Sequence, residues 1–476
     1  MQFEVSYTSS YRSSVTKQIQ QMIEKYNADS LLKEFLQNAD DAKASRLTVA
    51  LDLRNHGSFK EQALNIASGP ALVISNDALF NEQDFQAIDQ IMDGSKVDKA
   101  QSTGRFGQGF TSSFSISDHP SLISGGMRRG TSKWFDAHES AVCKGRNNAV
   151  ATWKHDEVNS STYERLEPWL RTFLLPGEED TVGRTVFRLP LRTSETAKTS
   201  EISSQIFTKQ RFYNWCDEWR KSSDNLLFLR NVHTLVLCLV HENGNTQELL
   251  KIETKNIEEI SSVKQKLNKA IPTNKPPKEI CQSWLSNNID LPTVTYEHEF
   301  QCHYFDRSTS RTESVDSKWA VVNGLFKGTD SLLLKQALKF LGLGPNFRKV
   351  LPWAGVAIPI GQQIPKNDER GQFFTFLPLG IRTKSKAHMQ GWFELDDKRT
   401  SIVLKAGNDD QTPLVKWNLM LAEHAIGKAW AELLLQYKHN LSETDYYEFW
   451  PNLSKDSDEI TSYIQKGFYK RMAIDL

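Results

Sequence analysis

The chain has 476 residues, 39% hydrophobic and 24% charged, with a mean hydropathy of −0.50, enough apolar material for two or three cores in a water-soluble protein. Lys plus Arg and Asp plus Glu both number 58, so no net field marks nucleic acid or an anionic membrane surface as a partner. The five cysteines (Cys143, Cys216, Cys238, Cys281, Cys302) are odd in number and hold no CxxC pair, which favours reduced thiols in a cytoplasmic compartment over a disulfide framework.

Residues 14–26 carry an amphipathic helical pattern. The next segment, Leu31 to Ala42, repeats it more strongly, with Asp29 or Ser30 as cap. Leu31, Leu32, Phe35, Leu36, Ala39 and Ala42 fall on one apolar face. Glu34, Asn38 and Asp41 stand at i, i+4 and i+7 and project along one line. A solvated helix face would look the same. The alternative is a site in which Asn38 holds a divalent cation and Glu34 activates water. Strands are expected at Arg46–Leu53 and Ala71–Ser75, then a helix over Asn81–Met92 with Asn81 as its cap. Residues 93–103 are polar and small, as a segment closing over a ligand would be.

Gly104-Arg105-Phe106-Gly107-Gln108-Gly109-Phe110 places three glycines in six residues, which permits close backbone approach to a ligand and a concavity of N–H groups for anionic oxygens. No Lys-Ser/Thr pair follows, so this is not a P-loop, and the glycines are not ordered as in a dinucleotide fingerprint. Strands are expected through Leu122–Leu191, with a charged loop near 177–180, and a helical connector over 200–222. A second α/β unit begins near Asp224, with buried strands in Leu226–Val240, an exposed loop at Pro272–Lys278, and closing helices over 416–437 and 456–471. Leu226–Val240 is interrupted by Arg230, Asn231 and His233 and is shorter than the ~20 residues of a membrane span. The first residues, Met1 to Val5, lack a basic and apolar leader. His298, Cys302 and His303 lie near one another, but a fourth ligand at zinc-like spacing is missing.

Taken together, the Glu34–Ala42 helix and the Gly104–Ser112 loop resemble the nucleotide site of the GHKL ATPases, and more closely the repeats of the sacsin type. Ser117-Asp118-His119-Pro120-Ser121, Phe187-Arg188-Leu189-Pro190-Leu191-Arg192-Thr193, His388-Met389-Gln390-Gly391-Trp392-Phe393 and Trp417-Asn418 extend the likeness in the same order along the chain. The resemblance implies an α/β protein: a two-layer α/β sandwich of the GHKL type over 1–205, a second α/β domain over 206–440, and a helical tail over 441–476. It implies ATP and Mg2+ as cofactors, with Glu34 polarising the attacking water and Asn38 as metal ligand. Asp41, Gly104, Arg105, Gly107 and Gly109 would stand around the phosphates, Thr185 near the base, and Arg399 (with Lys398) at the γ-phosphate from the second domain. The class's D-x-G-x-G base motif is absent. Val73-Ile74-Ser75-Asn76-Asp77-Ala78-Leu79-Phe80 stands in its place, with Asp77 the first candidate for the adenine amino group and Asn76 the next. The implied function is an ATP-binding, slowly hydrolysing chaperone-like module in which nucleotide closes a lid and couples to the second domain. Client proteins or chaperone partners are expected, and neither nucleic acid nor membrane. A non-hydrolysing scaffold or a nucleotide-dependent signalling switch is the competing reading.

Overall fold

The computed structural model describes residues 15–24, 30–89, 110–138, 150–271, 275–342, 350–361, 371–396, 401–404, 412–452 and 459–474. The chain is α/β and forms two compact units, Met1–Cys216 with Val236–Leu249, and Asp217–Leu235 with Leu250–Leu476. The division therefore falls later than residue 205, and the 236–249 hairpin returns to the first unit. Residues 441–476 do not separate as a tail but belong to the second unit.

The first unit is built on a sheet of strands β1 (Arg46–Asp52), β2 (Ala71–Asn76), β3 (Ser121–Ser124), β4 (Thr131–Phe135), β5 (Val150–Lys154), β6 (Thr185–Pro190) and β7 (Thr234–Val240), in the order β7-β1-β2-β6-β3-β4-β5. Pairing from β1 to β5 is antiparallel throughout. Strand β2 is central and buried along its whole length, which is why it reads as an unbroken apolar run. Its side chains alternate between two faces. Ala50, Val73, Ile123, Trp134 and Val186 join one buried cluster with Tyr163, Leu166, Trp169 and Leu170. The opposite face carries Ile74, Asn76, Leu122, Thr185 and Phe187, as the register Ile74–Phe187 and Asn76–Thr185 requires.

Helices α1 (Val15–Ile23), α2 (Leu31–Asp41), α3 (Glu82–Asp89), α4 (Ser160–Leu170) and α5 (Ser194–Thr199) complete the unit. Helix α2 meets the Phe187 face through Phe35, whose ring lies 5.1 Å from that of Phe187. Helix α3 reaches the same face, where Asp89 is held by the buried Lys133 of β4 at 2.7 Å. Asn81 caps α3 as expected, accepting from the N–H groups of Gln83 and Asp84. Helix α4 covers the other face, inside a stretch read from sequence as strand. Its start is set by Asn159, whose side chain accepts from Thr162 N at 2.8 Å, and its buried Tyr163, Leu166, Trp169 and Leu170 supply the period that the strand reading overlooked.

Two arginines of the Phe187–Thr193 motif fix this unit. Arg188 is fully buried and donates to Asp52 at 3.2 Å, to Thr172 O at 3.0 Å and to Gly69 O at 2.8 Å. Burial pushes its guanidinium down to about 10, so it stays positive at neutral pH. Burial would raise the Asp52 carboxyl, but His56, Arg54 and Arg188 outweigh it and hold it well below the usual range. Arg192 grips the other motif, bonding Asp118 through Nε at 2.8 Å and Ser115 O at 2.8 Å.

The second unit orders its strands β13-β12-β14-β11-β10-β9 and then the end of β8. Their ranges are β8 (Thr246–Thr254), β9 (Thr293–Asp306), β10 (Arg311–Leu325), β11 (Trp353–Pro359), β12 (Gln372–Thr375), β13 (Leu377–Arg382) and β14 (His388–Gly391). Helix α6 (Lys209–Arg220) contains the division between units, while residues 201–208 of the expected connector are not helical. Then follow α7 (Ile257–Lys269), α8 (Pro277–Ser286), α9 (Leu332–Leu341), α10 (Pro413–Leu421), α11 (Gly427–Tyr437), α12 (Glu443–Glu448) and α13 (Glu459–Met472). Of the Pro-bearing segment 272–278 read as a loop, residues 275–276 are non-helical and Pro277–Lys278 already begin α8, Pro277 standing in the first turn where a missing N–H costs nothing; residues 272–274 lie outside the described residues. A π-turn at Ala422–Ile426 joins α10 to α11. There α13 packs backbone to backbone against the π-turn and the start of α11: a Cβ on Gly467 would collide with Glu423 O, and one on Gly427 with Ile464 O. Asn418 bonds the Glu394 backbone at both ends of its amide, and Trp417 donates to Trp392 O, so these two motifs serve the packing of this unit. Among the described residues no helix is long and apolar enough to cross a membrane.

Candidate functional site

Helix α2 presents the two faces its sequence promised. Leu31, Leu32, Phe35, Leu36 and Ala39 are buried, together with Asp40, while Glu34, Asn38 and Asp41 are half-buried. Ser30 stands at the N-cap position but makes no side-chain cap bond, and Asp29 lies outside the described residues. The polar line is therefore neither core nor a fully solvated face.

A small recess, open to solvent at its mouth, lies beside it in the first unit. Phe35, Asn38, Ala42, Asn76, Phe80, Ile88, Phe110 and Phe187 line it. Four phenylalanines, one from each of four sequence motifs, build its wall. Phe80 and Phe110 each stand 6.0 Å from Phe187, Phe35 is at 5.1 Å, and Phe80 also meets Phe85 at 5.3 Å. Edge-to-face and tilted pairs of this kind contribute about 0.5–1.5 kcal/mol each beyond their buried area and give the recess an apolar aromatic wall. These rings were missed in reading the sequence for polar groups. The signal was present: Phe35 follows Glu34, Phe80 closes Asn76–Phe80, Phe110 follows Gly109, and Phe187 opens the β6 motif.

The two asparagines are the polar members of the described lining. The Asn38 carboxamide bonds to no described residue. Asn76 is 7% exposed, and its Oδ1 accepts from Ala78 N at 3.0 Å. Thr185 lies directly across from Asn76 in the β2–β6 register, fully buried. Its hydroxyl donates to Ala78 O at 2.8 Å and pairs with Ser124 Oγ at 2.8 Å, while Ser124 Oγ accepts from Phe80 N at 2.9 Å. Thr185 is thus outside the recess lining and pins the 78–80 turn that carries Phe80 into the wall.

Asp77 stands elsewhere than the sequence suggested. Both of its oxygens are used at the start of β1: Oδ1 accepts from Ser45 N at 2.7 Å and Arg46 N at 3.0 Å, and Oδ2 takes the Ser45 hydroxyl. It is exposed and outside the lining of the recess, because its neighbour Asn76 is the β2 residue on the Phe187 face and Asp77 has already left the strand. The glycine loop with Gly104, Arg105, Gly107 and Gly109, the 93–103 segment, and Lys398 and Arg399 lie outside the described residues.

For a divalent cation, the donor set fits the kind of ion expected. Mg2+ takes hard oxygen ligands, keeps several waters and uses one or two protein groups with substrate phosphates. The Asn38 amide oxygen at the recess is one such group, while Glu34, one helical turn before it, is not in the recess lining. The other candidate, His298 with Cys302 and His303, does not converge. His298 is fully buried against Thr254 Oγ1 at 3.0 Å, and strand alternation puts His303 on the opposite face, near Glu253 at 3.6 Å. Among the described residues no group of three His, Cys, Asp or Glu side chains could hold a metal.

An α/β unit with an aromatic recess beside a Glu-Asn helix is thus the class of module that the fold and the recess define. The family model described as the Sacsin domain matches residues 12–252, just over half of the chain, and the chain belongs to that family. Human sacsin is 28% identical over 89% of this chain, but the alignment takes up only 9% of sacsin, so this chain spans less than a tenth of that protein's length. A solved chain titled as the N-terminal domain of a DNA repair protein aligns over 65% of this chain and 72% of its own, at 12% identity and a TM-score of 0.29, which carries no argument.

Proposed function

We propose that this chain is an ATP-binding, slowly hydrolysing, Mg2+-dependent module of the chaperone-like kind, with the recess of the first unit as its nucleotide site. The observation that carries it is the pair Asn38 and Asn76, two side-chain amides lining an aromatic slot, one of them with no partner among the described residues. The slot would take the flat base. Asn38 would hold the metal, which would neutralise phosphate charge when bound. Glu34 would accept a proton from the attacking water, help worth typically 10²–10⁴-fold in rate. Asp41 and the glycines at 104, 107 and 109, with Arg105, would stand around the phosphates. Thr185 would support the base end through the 78–80 turn. Lid closure by residues 93–103, its coupling to the second unit, and client or partner proteins belong to the same proposal.

Equilibrium binding of ATP with and without Mg2+, together with phosphate release, tests the reading. Saturable, Mg2+-dependent binding is the expected result. No binding at millimolar ATP would overturn it, and binding without release would leave the non-hydrolysing scaffold as the function.

A further inference from the structure

The base end of the recess has one polar side chain whose orientation is fixed by chemistry. The Ala78 N–H can only donate, so the Asn76 atom that faces it at 3.0 Å is the carbonyl oxygen. The other end of the same amide, Nδ2, is therefore turned away from the turn. It has no partner among the described residues, and Asn76 lines the recess.

Among the described residues around the Ala78 turn, the hydroxyls that could instead accept a hydrogen bond are already engaged. Thr185 gives its proton to Ala78 O, so in the Thr185–Ser124 pair the serine is the donor. Ser124 in turn accepts from Phe80 N. The one carboxylate on this turn, Asp77, is bound to Ser45 and Arg46. Asn38 retains an acceptor, but the reading above commits it to the metal. What Asn76 shows to a base is a donor, and a purine 6-amino group is also a donor.

We propose that the recess reads an acceptor at purine position 6, so that 6-oxopurine nucleoside triphosphates bind at least as tightly as ATP. This rests on the nucleotide reading above and refines it. ITP is the cleanest probe, since it differs from ATP at position 6 without adding the 2-amino group of GTP. An aspartate at position 76 would still accept from Ala78 N with one oxygen and would offer the second to a 6-amino group. Asn76→Asp is therefore expected to reverse the preference, shifting the ITP-to-ATP affinity ratio by roughly tenfold toward ATP, the fold-change of about one hydrogen bond.

The experiment measures dissociation constants of ATP, ITP and GTP, each with Mg2+, on the full chain and on Asn76→Asp. ITP binding equal to or tighter than ATP, with reversal in the variant, is the expected result. A wild-type preference for ATP over ITP would overturn the proposal while leaving the nucleotide site intact. Failure of every triphosphate to bind would overturn the site itself. Should Asn76→Asp not fold, as judged by its thermal transition, the wild-type ratio alone decides.

Discussion

Two regions of the first unit treat their motif residues in opposite ways. Around Arg188 and Arg192 the charges are largely spent within the fold: Asp52, Asp118 and backbone carbonyls take the Arg188 Nη1 and Nη2 donors and those of Arg192, and Arg188 is fully buried. Around Asn38 and Asn76 the aromatic wall is closed but amide groups remain available at a recess. One set of motif residues is thus spent mainly on the fold while the other keeps side-chain amides at a recess, and hydrogen bonding of most buried polar atoms is the mark of the first.

Glu34→Ala should give the largest effect at the recess. Phosphate release is expected to fall 10²–10⁴-fold with nucleotide affinity retained. Equal turnover in both proteins would place Glu34 with the structural residues. At the clamp, Arg188→Met should cost about 3–5 kcal/mol in urea unfolding, because it takes one of its cationic partners from buried Asp52 and leaves the Thr172, Ala67 and Gly69 carbonyls short of a donor. A loss under 1 kcal/mol there would erase the distinction between the two regions.

The clamp should also respond to acid. Burial would raise the Asp118 carboxyl, yet His138, Arg192 and Ser200 outweigh it and lower it, as Asp52 is lowered. A carboxylate depressed in the folded state stabilises above its ordinary value near 3.8. That stability drains away as pH falls through the lower folded value. The urea midpoint of the wild type should therefore drop below about pH 4, and the dependence should be shallower in Arg188→Met. A midpoint flat from about pH 5 to pH 3 would contradict it.

The smallest effect belongs to Asp77→Ala. It removes the bonds at Ser45 and Arg46, so a loss of about 1 kcal/mol is expected with nucleotide affinity unchanged. A tenfold loss of affinity with a normal melting curve would return Asp77 to the base site.

Much of this was legible beforehand because it depends on local period and local chemistry. The α2 faces, the β1 and β2 strands, and the Asn81 cap all follow from spacing within one element. Helix α4 was not legible in the same way, since its apolar period overlaps a strand-like pattern and only its burial against Val73 and Trp134 settles the choice. The aromatic wall was also hidden, for its four rings come from segments up to 152 residues apart, Phe35 to Phe187.

The sequence by itself determined the family, the Glu-Asn spacing and the α/β class, because those are properties of residue order and of helix and strand geometry. Only the tertiary structure decided between Asn76 and Asp77. One residue of register sends the first to the Phe187 face and the second out of the strand to Ser45, and side-chain alternation makes that single step the difference between a wall of the site and a brace of the fold.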